Sequence, residues 1–182
     1  MKTPLLSDVA NLKCNSASEA MASGIDGCPS HLLLVEDSPH HVRLMREAFS
    51  DVNSSINLHV ADDGVEAMAF LRHQGINANA PRPDLILLDL NLPRMDGREV
   101  LVQIKSDDSL KTIPTIILTT SELDDDVITS YRLHANAYLK KPLGWDAFVS
   151  MVSNLNNFWL AQSQLTLPNH ERSGTFDKQT LH

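Results

Sequence analysis

The sequence predicts an α/β fold built on a five-stranded, doubly wound parallel sheet, and two observations predict it. Short apolar runs recur along the chain between segments of helical periodicity, which is the pattern of βα units. Four of these runs end in polar groups: Glu36-Asp37, Asp89, Thr119 and Lys140-Lys141-Pro142. In a parallel sheet the ligand crevice lies at the carboxyl ends of the strands. Three carboxylates, a hydroxyl and an ammonium therefore converge in one place, and that set suits a hard cation and a phosphoryl group.

The elements follow in order. His31–Val35 reads as the first strand, and Ser38-Pro39 then supplies an N-cap and a first-turn proline. The helix after it places Val42, Met45 and Phe49 on one face. Ile56–Ala61 is the second strand, and Asp62-Asp63-Gly64 turns into a helix carrying Val65, Met68 and Leu71. A polar connection from Gln74 to Pro83 leads to the third strand, Asp84–Leu88. Beyond Asp89, Leu92–Gly97 is a loop, and Val100, Leu101 and Ile104 mark the third helix. Pro114 opens the fourth strand, which ends at Thr119, and Val127, Ile128 and Tyr131 mark the fourth helix. Ala137–Leu139 is a short fifth strand running into Lys141-Pro142. The fifth helix spans roughly Trp145 to Leu160, with Phe148, Val149, Val152 and Leu155 at helical spacing.

Composition sets the outer limits. The 182 residues suffice for one domain with a real core at 31–162. Residues 1–30, rich in Ser, Asn, Ala and Gly, read as a flexible N-terminal extension, and 163–182 as a C-terminal tail. A net charge of −8 argues against direct nucleic-acid binding, which needs a basic face. No apolar stretch reaches membrane-spanning length, and no apolar core of a secretory signal follows Lys2. Cys14 and Cys28 both precede the first strand. A disulfide between them stays open, but two thiols in a polar segment fit a reducing compartment, and the cytoplasm is the expected location.

Five segments then carry a resemblance: Leu33–Asp37, Asp84–Asp89, Pro93–Gly97, Pro114–Thr120 and Ala137–Pro142. In this order and spacing they resemble the receiver domain of two-component response regulators. The wording of Asp89–Gly97, Leu118–Ser121, the Gln74–Pro83 connection and Asn157–Leu160 resembles a narrower group, the stand-alone receivers that serve cyanobacterial phytochrome histidine kinases. The resemblance implies a phosphoryl group received from a sensor histidine kinase, here a phytochrome, with Mg²⁺ or Mn²⁺ as cofactor.

Chemistry and resemblance agree on the roles. Phosphoryl transfer needs an in-line nucleophile and neutralised equatorial oxygens. Asp89 ends the central strand and is the expected phosphoacceptor; Lys141 supplies a fixed cation and Thr119 a donated hydroxyl. The resemblance implies that Asp37 and Asp89 bind the metal directly, Glu36 through water, and the backbone carbonyl of Asn91 as a third protein oxygen. It also makes Tyr138 the aromatic partner of Thr119 in a switch that remodels the surface of helix four, strand five and helix five. Asn91 and Ser121 fall where the family sets the phosphoaspartate lifetime, and Phe158 and Trp159 where the subgroup pairs, which implies a homodimer.

Taken singly, each residue has an ordinary reading. Glu36-Asp37 alone is a solvated loop, Asp89 a cap, Thr119 a strand-end hydroxyl, Lys140-Lys141 a solvated pair, Tyr138 a half-buried strand aromatic, and Phe158-Trp159 a lid on the core. Their joint appearance at successive strand ends favours the phosphoryl site. His40-His41 face different directions and the other histidines lack ligand spacing, while Asp124-Asp125-Asp126 complements a helix dipole. A pseudo-receiver, which interacts without accepting phosphate, is the alternative function, but Asp89 and Lys141 are both present. A dehalogenase-type phosphohydrolase needs a second carboxylate where Asn91 stands. No G-x-G-x-x-G or P-loop follows the first strand to support a nucleotide fold. Residues 163–182 are too few for a fused DNA-binding output, so the expected output is a protein surface or phosphate relay.

Overall fold

A computed structural model describes residues 30–52, 56–121 and 124–162. Apart from Ser30, the expected extensions at 1–30 and 163–182 lie outside the described residues. The strands are β1 (Ser30–Val35), β2 (Ile56–Ala61), β3 (Leu85–Leu88), β4 (Thr115–Thr119) and β5 (Ala137–Lys140). They form one parallel sheet in the order β2-β1-β3-β4-β5, with β3 at its centre. The helices are α1 (Pro39–Val52), α2 (Gly64–Leu71), α3 (Gly97–Ser106), α4 (Asp124–Arg132) and α5 (Trp145–Leu155).

Alternation along the strands divides the core in two. Leu33, Val35, Ile86, Leu88 and Ile117 face one layer, with Met68 and Leu71 of α2 and Val100, Leu101 and Ile104 of α3. Leu32, Leu34, Leu85, Leu87, Ile116 and Leu118 face the other, with Met45 and Phe49 of α1 and Phe148, Val152 and Leu155 of α5. Strands covered on both faces lose the apolar–polar alternation of a half-buried strand, hence the continuous runs Leu32–Val35 and Leu85–Leu88. Each leucine or isoleucine so buried stabilises the fold by about 1.5–3 kcal/mol.

Local chemistry starts the helices at the expected places. Asp63 caps α2 by accepting from the Glu66 N–H (2.9 Å), and Glu66 reaches back to the Asp62 N–H (2.9 Å). Asp96 caps α3 by accepting from the Arg98 N–H (2.7 Å). Two expectations change. The fifth helix ends its α-helical part at Leu155 and widens to π geometry over Asn156–Gln162. In α4, Ile128 and Tyr131 are exposed, and the buried residues are Asp126 and Ser130. This inward face meets polar groups of the adjoining loop and α3, so apolar periodicity misidentifies it.

Gly97 joins sheet to site. A Cβ there would stand 2.7 Å from the Leu90 Cα and would also strike the Asp89 carbonyl oxygen. Backbone cannot yield as a flexible side chain can. Gly97→Ala is expected to lower the free energy of unfolding by about 1–3 kcal/mol; an unchanged urea midpoint would contradict this packing.

Candidate functional site

The sheet ladder continues one residue past several strands and fixes the backbone of the site. The Glu36 N–H donates to the Ala61 carbonyl (3.0 Å), the Asp89 N–H to the Val35 carbonyl (3.0 Å), and the Lys141 N–H to the Thr119 carbonyl (2.9 Å). Strand register thus brings Glu36, Asp89 and Lys141 together from positions far apart in sequence.

Their side chains meet in a buried ion cluster. Lys141 Nζ lies 2.5 Å from Glu36 Oε2 and 2.5 Å from Asp89 Oδ2. Glu36, Asp89 and Lys141 are 2%, 6% and 4% exposed. Ions this deep persist only when paired and hydrogen-bonded, and they are. The other Asp89 oxygen accepts from the Asn91 N–H (3.2 Å), and Glu36 Oε1 accepts from the Ser38 N–H (3.2 Å) and meets His41 Nδ1 (3.1 Å). Asp37, by contrast, is exposed.

Ligand oxygens of Glu36, Asp37 and Asp89 lie within 4.8 Å of one another. Among the described residues no other group of three or more His, Cys, Asp or Glu side chains is arranged to hold a metal. Three carboxylates against one ammonium leave two negative charges, and the donors are all oxygen. This set fits a hard divalent cation.

Beside the cluster, Thr119 is fully buried and its Oγ1 accepts from the Ser121 N–H (3.3 Å). The half-buried Tyr138 donates its hydroxyl to the Ser121 carbonyl (3.1 Å), and burial raises its pKa. Phe158 and Trp159 stand apart on the π-helical turn, edge to face at 5.1 Å. Phe158 is 62% exposed, and with Leu139, Met151 and Leu155 the two rings line a groove of about 610 Å³.

Three neighbours escaped the sequence reading. His41 reaches Glu36 and lies 3.4 Å from Lys141 Nζ. The signal is its place in the first turn of α1, whose start adjoins the end of β1; histidine spacing along the sequence does not show this contact. Asp126 is buried, unlike its neighbours Asp124 and Asp125, and pairs with Arg98 and Ser121. The Ser121 hydroxyl and then Arg98 hold its carboxyl below the usual carboxylate range. Arg94, in the left-handed backbone region (φ 63°), pairs with the buried Asp63. No spacing rule announces such long-range partners.

Comparison with known proteins agrees with this geometry. The sequence pattern of the response regulator receiver domain matches residues 32–153. Response regulator Rcp1 of Synechocystis sp. is 49% identical over 140 residues, covering 77% of this chain and 94% of Rcp1. The crystal structure of the Mn²⁺-bound form of Rcp1 superposes with a TM-score of 0.72 at 48% identity, covering 76% of this chain and 100% of that one. The phosphorylated cyanobacterial phytochrome response regulator RcpA gives 0.72 at 46%, covering 75% and 97%.

Lys141 pairs with two buried carboxylates, so its removal exposes their repulsion. Lys141→Ala is expected to cost about 3–5 kcal/mol without metal. Adding a divalent cation should raise its melting temperature more than that of the native chain. Equal metal-induced shifts in the two proteins would contradict this charge balance.

Proposed function

The chain belongs to the response regulator receiver domain family, and on that premise we propose that Asp89 receives a phosphoryl group from the phosphohistidine of a sensor histidine kinase. The observation that carries this reading is the Asp89 carboxylate at the end of the central strand, 2.5 Å from Lys141 Nζ and within the three-carboxylate cluster. In the transfer the P–N bond to the donor imidazole breaks, its electron pair stays on the nitrogen, and a P–O bond to Asp89 forms.

The chain's own residues have distinct parts in this proposal. Lys141 holds Asp89 in position and supplies a cation to the transferred group. Thr119 donates its hydroxyl to a phosphoryl oxygen, and Tyr138 follows the resulting movement, altering the surface of α4, β5 and α5. Asn91 and Ser121 set the lifetime of the phosphoaspartate. We assign Mg²⁺, or Mn²⁺, to Asp37, Asp89 and the Asn91 carbonyl, with Glu36 acting through water because Lys141, Ser38 and His41 engage its oxygens. When bound, the ion supplies positive charge against the phosphoryl oxygens.

Resemblance to RcpA, named a phytochrome response regulator, supports a phytochrome kinase as donor. We take 31–162 as the receiver unit and the cytoplasm, where a kinase phosphohistidine is made from ATP, as its location. Among the described residues no helix is long and apolar enough to cross a membrane, and the net charge of −8 speaks against direct nucleic-acid binding. A second copy of the chain is the proposed occupant of the aromatic groove at Phe158 and Trp159, since exposed aromatics bordered by polar residues suit an interface core.

Incubation with acetyl phosphate should label the native chain in the presence of Mg²⁺, and Asp89→Asn should abolish the label. Labelling that survives in Asp89→Asn would remove Asp89 from its role. In sedimentation, Phe158→Ala should weaken self-association at least about tenfold, the effect of losing a central aromatic anchor. An unchanged mass distribution would return Phe158 to the role of lid on the core.

A further inference from the structure

We infer that Arg98 and Asp126 are positioning residues for the phosphoryl site, holding Ser121 so that Thr119 presents its hydroxyl proton to the incoming group. The inference rests on the function proposed above and adds two residues to it.

Asp126 lies in the first turn of α4 and is 9% exposed, while Asp124 and Asp125 are exposed. A carboxylate turned inward needs partners on both oxygens. Arg98 Nη2 donates to Oδ1, and Ser121 Oγ donates to Oδ2 at 2.5 Å. Ser130 Oγ donates to the Asp126 carbonyl at 2.7 Å, a bond within α4 itself. The guanidinium of Arg98 is itself anchored, because Nη1 donates to both oxygens of Asp96 (3.2 and 3.0 Å). Asp96 is the cap of α3. A planar fork can serve two carboxylates at once in this way, where a lysine offers only a point charge. The first turn of α3 therefore fixes Asp126, and Asp126 fixes Ser121.

Ser121 passes the constraint to the site through its backbone. Its N–H donates to Thr119 Oγ1 and its carbonyl accepts from the Tyr138 hydroxyl. A hydroxyl has one proton and two lone pairs. With an N–H on its oxygen, Thr119 has its proton free to donate, and its rotation is restricted. By register Leu88 pairs with Ile117, so Asp89 lies level with Leu118 and Thr119 stands one residue beyond. That is where a group added to Asp89 would extend. Without the tether, Ser121 loses one of its anchors, and the N–H that orients Thr119 is held less closely.

A simple brace between α3 and α4 would explain the same ion pair, and phosphorylation kinetics separate the two. The rate of Mg²⁺-dependent labelling by acetyl phosphate should fall about fivefold in Asp126→Ala, the equivalent of one neutral hydrogen bond. Ser121→Ala, which removes the tether and leaves the backbone N–H, should give the same fall with little change in folding. Thr119→Val should also slow labelling, and Asp126→Ala added to Thr119→Val should slow it no further. A further fivefold loss in that double variant would overturn the inference, since a brace acts whether or not Thr119 is present. Native-like rates in both Asp126→Ala and Ser121→Ala would overturn it as well. Failure of the native chain to label would instead overturn the functional reading, and this inference with it.

Discussion

Everything at the functional end of this molecule depends on one ammonium held between two buried carboxylates. Lys141 lies 2.5 Å from both Glu36 and Asp89. Removing such ions from water costs several kcal/mol each, and only close pairing with full hydrogen bonding recovers it. The sheet makes that pairing available at little extra cost in ordering. The ladder already fixes the backbones of Glu36, Asp89 and Lys141 through bonds to Ala61, Val35 and Thr119. The apolar core below the site thus serves the chemistry above it, because burial of Leu33, Ile86 and Ile117 sets the register that aligns the charges.

The same cluster is left unbalanced in a useful direction. Asp37 adds a third carboxylate at the solvent side, so the group carries two net negative charges with its open face toward water. A divalent cation entering from that side would meet hard oxygen donors. A divalent cation held by Asp37 and Asp89 would complement the lysine, adding positive charge at the solvent side of a cluster that Lys141 balances from within the fold.

Much of this arrangement was legible in the sequence, for a physical reason. Strands buried on both faces must be continuously apolar, so their ends are conspicuous, and Glu36, Asp89, Thr119 and Lys141 stand at those ends. The end of α5 was less legible, since Phe158 and Trp159 keep apolar periodicity while the backbone widens to π geometry after Leu155. His41 was legible only through its place in the first turn of α1, and Arg98 and Asp126 were not legible at all. The partners of Arg98 and Asp126 are remote in sequence or defined by a helix face, and Asp126 stands in a run of three acids whose dipole role suffices to explain them. Only the fold distinguishes the one that turns inward.

That inward turn makes α4 unlike the other helices. Against the sheet α1 buries Met45, Ala48 and Phe49, α3 buries Val100, Leu101 and Ile104, and α5 buries Phe148, Val152 and Leu155. The residues α4 buries are Asp126 and Ser130, and its larger side chains Ile128 and Tyr131 face out. Apolar packing resists displacement in every direction, because any gap forfeits contacts. Polar anchorage acts differently: a hydrogen bond or ion pair can be exchanged for another of similar strength once the geometry shifts, so two arrangements can lie close in free energy. Held to its surroundings by the bonds of the Asp126 carboxylate to Arg98 and Ser121, α4 is therefore less tightly fixed than the apolar-packed α1, α3 and α5. Under the function proposed for Asp89, α4 is the helix whose displacement forfeits the least apolar contact.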